Sequence, residues 1–277
     1  MARLRKPTDR RSKRTALDSS AERCLVQAIS AQDPTLRAKY ATVGLAVSEL
    51  AADTQLMLLR QLYMSHLEQE RYADARAISE QMVELSATAN VDPEGLTREL
   101  AHHDAARAAS ALGDFDAALG HLRLASRVAP ARRRGFQLWS LGSTLYSLGS
   151  YAEAERVLER SARWAPKHKA IHQALHALAL AAQSKPADLA AAYERLSELE
   201  RQPAIVDWVG GELLIQLQRP SLALPLLRRF VLRNSLPVRL ASLRAEVARA
   251  QRLVEAVEAA LSEANAVTPP EARKILG

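Results

Sequence analysis

One recurring interval constrains this chain more than any other feature. An alanine is followed four residues later, and again three after that, by residues that would share its face on a helix. The set occurs as Ala75/Ser79/Met82, Ala118/Leu122/Ala125, Ala154/Leu158/Ser161 and Ala223/Leu227/Phe230. The alanines stand 43, 36 and 69 residues apart. The last interval is close to two units of ~34 residues, the length of one helix–turn–helix repeat. The first is one unit plus a loop, for which Ser86–Asn90 and Asp92-Pro93 supply turn-forming residues. A chain patterned this way stacks helical hairpins, each burying a face against the next.

Local propensity agrees. Ala, Leu, Arg, Glu and Gln dominate, β-branched residues are sparse and aromatics make up only 4%, so helix is favoured almost throughout. Thirteen helices are expected, near 17–31, 34–51, 53–69, 71–88, 92–112, 114–129, 133–148, 150–164, 167–183, 186–201, 203–218, 220–233 and 236–263. Asp33-Pro34 and Asp92-Pro93 each place an N-cap acceptor before a first-turn proline.

The two clearest units carry more of a motif. Gly113-Asp114-Phe115 precedes Ala118 as Gly149-Ser150-Tyr151 precedes Ala154, and Pro130 and Pro166 each fall twelve residues after the alanine. Leu141-Gly142 completes the set. Over roughly residues 53–233 this resembles the tetratricopeptide-repeat family. The spacing has a physical reason: the alanine must be small because two helices cross there, and proline stops the second helix by lacking an N–H. Departures exist. Leu138 stands where the family has a tryptophan, with Trp139 one place late. Pro220 replaces an aromatic, the Ser79 unit lacks its large apolar residue, and the unit between Pro166 and Pro203 has no readable register.

The expected fold is therefore all-α: a right-handed helix–turn–helix repeat solenoid with a long C-terminal capping helix. Its expected divisions are a basic tail (1–16), N-terminal helices (17–52), repeats (53–233), a capping or coiled-coil helix (234–263) and a short tail (264–277). The resemblance implies that the first helix of each unit lines an inner groove. Residues fifteen before the repeat alanine then take equivalent inner places: Arg60, His103, Trp139 and Trp208. One turn before them come Met57, Leu100, Phe136 and Ile205. The turns after them bring Met64, Arg107, Ser143 and Glu212, then Leu67, Ser110, Tyr146 and Ile215. The groove reads as apolar and aromatic in its later half and cationic in its earlier half, which suits a protein segment with apolar anchors and an acidic group. The alternative is that a segment of the chain itself, such as 264–277, fills it. The Lys/Asn set with which some relatives hold chaperone C-termini is missing, so that role is not expected.

Nothing argues for an enzyme, a cofactor or a metal. There is no nucleophile motif and no Gly-rich phosphate loop. His168, His172 and His176 could share one helical face, but no further ligand is evident and Lys167 and Lys169 would repel a cation. His102 and His103, as neighbours, cannot face one ligand from a helix. Cys24, the single cysteine, reads as a small core residue.

Charge is concentrated at one end. Arg3, Arg5, Lys6, Arg10, Arg11, Lys13 and Arg14 stand against Asp9 alone, while the whole chain carries +7. Arg123, Arg127, Arg132–Arg134 and the seven arginines of 228–252 add smaller clusters. A nucleic-acid-associated regulatory role through this tail is the second reading, although the tail has no aromatic on which a base could stack. Leu240, Leu243, Val247, Ala250, Val254, Val257 and Leu261 alternate by three and four, as a capping helix or a dimer seam would; capping, and so a monomer, is preferred. No run approaches the ~20 apolar residues of a membrane span. Arg outnumbers Lys 31 to 7, a bias of GC-rich bacterial genomes. The expected protein is a cytoplasmic adaptor that binds another protein.

Overall fold

The computed structural model describes residues 9–88, 96–165, 169–199 and 203–267. Among them lie thirteen helices and no strand. In chain order they are α1 (Asp9–Ser30), α2 (Pro34–Leu45), α3 (Ala52–Glu68), α4 (Tyr72–Thr88), α5 (Leu96–Ala111), α6 (Phe115–Val128), α7 (Ala131–Ser147), α8 (Tyr151–Trp164), α9 (Lys169–Ala181), α10 (Leu189–Ser197), α11 (Ala204–Gln216), α12 (Pro220–Arg233) and α13 (Pro237–Val267). They form two compact units, Met1–Ala129 and Pro130–Gly277.

In the first unit each helix packs on the next from α1 to α6, and α1 also touches α3. Asp33 caps α2 by accepting from the Thr35 amide at 2.8 Å. Asp114 caps α6 by accepting from Ala117, and also takes Arg76 of α4 at 2.8 Å. The Asp92-Pro93 start lies outside the described residues. α2 stops at Leu45, six residues early, and the chain turns through Glu49 at φ 60°.

In the second unit the pairs α7/α8, α9/α10 and α11/α12 pack in series, α9 also touches both α7 and α11, and Tyr146 of α7 bonds Glu212 of α11. α13 packs on α12 and reaches back to α7.

The repeat alanines lie in the core of both units. Ala75, Ala118, Ala154 and Ala223 are buried, as are the Ser79, Leu122, Leu158 and Leu227 that follow them. The opposing helix is small at the crossing too. A Cβ on Gly142 would sit 2.6 Å from Leu158, and one on Gly211, at the same offset from its alanine, 2.7 Å from Leu227. The unit without a readable register is α9–α10. Buried Ala192 and Leu196 take the alanine and +4 places, 38 residues after Ala154 and 31 before Ala223. Its turn is the reason. Gly113, Gly149, Glu70 and Gln218, all at positive φ, stand five residues before their alanines, but Ser184 (φ 55°) stands eight before Ala192.

Candidate functional site

The expected inner face of the first unit lies on α3 and α5. The Tyr63 hydroxyl, buried beneath it, donates to the Asp104 carbonyl at 2.8 Å and ties the two helices together. Burial, and then the nearby Asp104 charge, hold this phenol well above its ordinary pKa. The Asp104 carboxylate is 1% exposed and lies between two expected groove cations. It accepts from Arg60 Nε at 3.1 Å and Arg107 Nη1 at 3.3 Å. One carboxylate therefore offsets part of the positive charge that the sequence placed here. His103 and Met64 are half-buried beside them. Met57 is 42% exposed. Val26 of α1, fifteen residues before buried Ala41, is 63% exposed.

His102 points the other way, as its neighbour's opposite placement requires. Its Nδ1 lies 3.2 Å from Nδ1 of His121, whose Nε2 is 3.3 Å from Glu80. Burial, and next the His121 charge, lower His102 to about 4. It is neutral at physiological pH and links α5 to α6. Among the described residues no group of three or more His, Cys, Asp or Glu could hold a metal ion.

The expected inner face of the second unit carries α13 against it. Trp208 is 0% exposed and Tyr146 1%, so neither presents an open surface. Of the expected inner places, Ser143, Tyr146 and Glu212 bond residues of α13. Arg249 of α13 donates from Nε and Nη2 to the two Glu212 oxygens at 2.5 and 2.9 Å. Its guanidinium lies 4.4 Å from the Tyr146 ring centroid and 5.8 Å from that of Tyr151. Nη1 donates to the Tyr151 hydroxyl at 3.1 Å and Nη2 to the Tyr146 hydroxyl at 3.2 Å. Glu212 also accepts from the Tyr146 hydroxyl at 2.8 Å and Trp208 Nε1 at 2.9 Å. Burial alone would lower the Arg249 pKa, but its bonds and charge contact with Glu212 outweigh that and raise it.

One turn earlier on α13, Glu246 is buried where Ser143 donates to it at 2.7 Å and Thr144 at 3.5 Å. Burial raises its pKa, only partly opposed by those hydroxyls. The folded state thus favours the protonated carboxyl more than the unfolded chain does. The associated stability is full below the ordinary glutamate range and is lost as pH rises through the raised folded value. Glu246→Gln should therefore leave stability unchanged near pH 4 and raise it at pH 8. Urea denaturation at the two pH values checks this.

The other expected residues divide. Phe136 is 46% exposed, with the Arg133 guanidinium 5.4 Å from its ring. Trp139 is half-buried and packs on His172 at 5.0 Å. The His172 Nδ1 lies 2.6 Å from the Ser161 hydroxyl, which makes this histidine part of the core. Ile205 and Ile215 are half-buried on α11. Of the tail cations, Arg3, Arg5 and Lys6 lie outside the described residues, as does His168. Arg10, Arg11, Lys13 and Arg14 fall within α1, which begins eight residues before the expected start. Sequence reasoning missed Asp104 and Arg249 as partners of inner residues. Glu246 left one signal: it is the only acid among the arginines of 228–252.

The tetratricopeptide-repeat profile matches residues 138–168. That span holds Gly142, Ala154 and Leu158, the residues at the tightest helix crossing of α7 and α8. Residues 138–168 thus form a tetratricopeptide repeat. Two solved structures are similar to the chain at low identity. One holds nearly identical tetratricopeptide-like repeats assigned to a kinesin light chain of Podosopora anserina, at 18% identity, 69% of this chain, 96% of that chain and a TM-score of 0.46. The other is the TPR2AB domain of yeast Sti1 in complex with an Hsp90 peptide, at 12% identity, 89% of this chain, 99% of that chain and a TM-score of 0.32. Neither likeness is close enough to carry a residue across. No curated protein matches the chain. Among the described residues no helix is long and apolar enough to cross a membrane.

Proposed function

We propose that this protein is a non-catalytic adaptor that holds a segment of another protein on the inner face of α3 and α5. The observation that carries this reading is the difference between the two inner faces. In the second unit, Tyr146 is buried against Arg249 of α13, whereas Met57 in the first is 42% exposed. Half-buried Met64 and Leu100 continue that face. Methionine suits such a surface because its unbranched thioether adapts to varied apolar anchors. Arg60 keeps 37% of its side chain exposed. It supplies one fork for a carboxylate, fewer cations than the sequence alone suggested. The partner segment is an amphipathic helix or extended strand with apolar anchors and a single acidic group. The adaptor acts in the cytoplasm as a monomer, since the α13 seam residues Val247, Ala250 and Val257 are buried on their own unit.

Met57→Glu tests the reading. A substitution at an exposed helix position away from packing usually changes stability by no more than ~0.5 kcal/mol, so the fold should persist. Capture of the partner from cells of the native source should fall at least ~10-fold, the equivalent of ~1.4 kcal/mol. Glu84→Lys, at an exposed place on α4, should leave capture intact. Full capture by a folded Met57→Glu chain would remove α3 from the binding surface.

A further inference from the structure

We infer that the inner face of the second unit is a receptor for an arginine-bearing helix, and that α13 is a displaceable occupant carried in the same chain. The inference stands apart from the α3/α5 reading, and either can fail without the other.

The receptor belongs to the repeat array. Tyr146 comes from α7, Tyr151 from the start of α8, and Trp208 and Glu212 from α11. Together they offer a guanidinium everything it can use: a bidentate carboxylate, two ring faces and two phenol oxygens. A planar, delocalised cation with five donors matches this set, and an ammonium does not. The site also tolerates being empty. If Arg249 leaves, Glu212 keeps the Tyr146 hydroxyl and Trp208 Nε1 as donors. Its carboxylate is then held and hydrated rather than stranded.

The occupant is less well matched than its seat. Apart from the arginine, α13 seats a carboxyl on two hydroxyls, with burial working against its charge. Its buried apolar stripe is thin: Ala241, Ala245, Val247, Ala250 and Val257. Small side chains remove little area from water, and hydrophobic stabilisation follows area. Further along, Arg228 of α12 pairs with Glu258 at 2.7 Å, but both side chains are largely exposed, a class of pair that contributes little. At Leu243 the backbone leaves helical geometry (φ −132°, ψ 25°). The break falls just before Glu246 and Arg249, where a pivot would release both. The competing partner is therefore an amphipathic helix with a stripe of small apolar residues and one arginine beside it.

The test uses the full chain and a fluorescent synthetic peptide of residues 237–263, read by anisotropy. In the parent chain the attached helix competes at a high effective concentration, so the peptide binds weakly. In full-length Arg249→Ala the attached helix has lost its arginine, and affinity for the peptide should rise at least ~10-fold. A peptide carrying Arg249→Ala should lose that gain, as should a chain that also carries Glu212→Gln. Hydrogen exchange on the parent gives an arm free of substitutions. Amides of 244–263 should exchange at least ~10-fold faster than those of α7 and α11, through local opening. A folded Arg249→Ala chain with no gain, or a gain indifferent to the peptide's arginine, overturns the inference. So does exchange of α13 only in step with α7 and α11, or failure of Arg249→Ala to fold, since α13 would then be core.

Discussion

Trp208→Ala should lower the stability of the second unit by about 3–5 kcal/mol, the usual loss when a buried large aromatic becomes alanine. The side chain is 0% exposed. It meets Tyr146 edge-on with centroids 6.1 Å apart and stacks on Phe230 at 6.0 Å. Its Nε1 donates to Glu212. Truncation removes the ring from between α7 and α12 and takes one donor from a buried carboxylate, so cavity and polar terms add. The readout is convenient. The chain has three tryptophans, Trp139, Trp164 and Trp208, all in the second unit, so fluorescence through a urea titration follows that unit alone. Phe136→Ala, at a ring 46% exposed, is the matched control and should lose no more than ~1 kcal/mol. A loss below ~1 kcal/mol for Trp208→Ala would mean that the ring is open, as a groove residue awaiting a ligand would be.

Glu212 and Arg249 should behave as a strongly coupled pair. Glu212→Gln leaves the guanidinium of Arg249 facing a neutral amide in a mostly buried seat. Breaking one side of such a pair typically costs about 3–5 kcal/mol. Arg249→Met leaves Glu212 with its two neutral donors and should cost less. The double variant should recover part of the loss, because a well-packed apolar or neutral replacement avoids an uncompensated charge. A double-mutant cycle in urea should therefore return an interaction energy of at least ~2 kcal/mol. It should change little between low and high salt, because buried pairs are screened far less than exposed ones. An interaction below ~0.5 kcal/mol would mean that the helix is not seated.

Much of the fold was legible in the sequence for a simple reason. Where two helices cross closely, only Ala or Gly fits, and that demand recurs at a fixed interval. Ala75, Ala118, Ala154 and Ala223 therefore reveal the hairpins. The α9–α10 unit escaped because three extra turn residues before Ala192 shift the interval without changing the packing. The occupant of the second inner face escaped for another reason. A three-four alternation in α13 reads the same whether the seam meets a second copy, an end cap or the chain's own groove. What decides is a set of long-range polar contacts, Ser143 with Glu246 and Tyr146 with Arg249, each 103 residues apart. Asp104 was hidden likewise: its bond to Arg60 spans 44 residues, beyond any helical spacing.

A hydrogen-exchange footprint of the full chain, with and without the partner captured from its native source, shows whether that partner lies on α3 and α5. Added protection is expected across the segments that hold Met57, Arg60, Met64, Leu100 and His103, with exchange in α4 and α6 unchanged. Protection confined to α4 and α6, or to the chain before α2, with α3 and α5 unaltered, would contradict it.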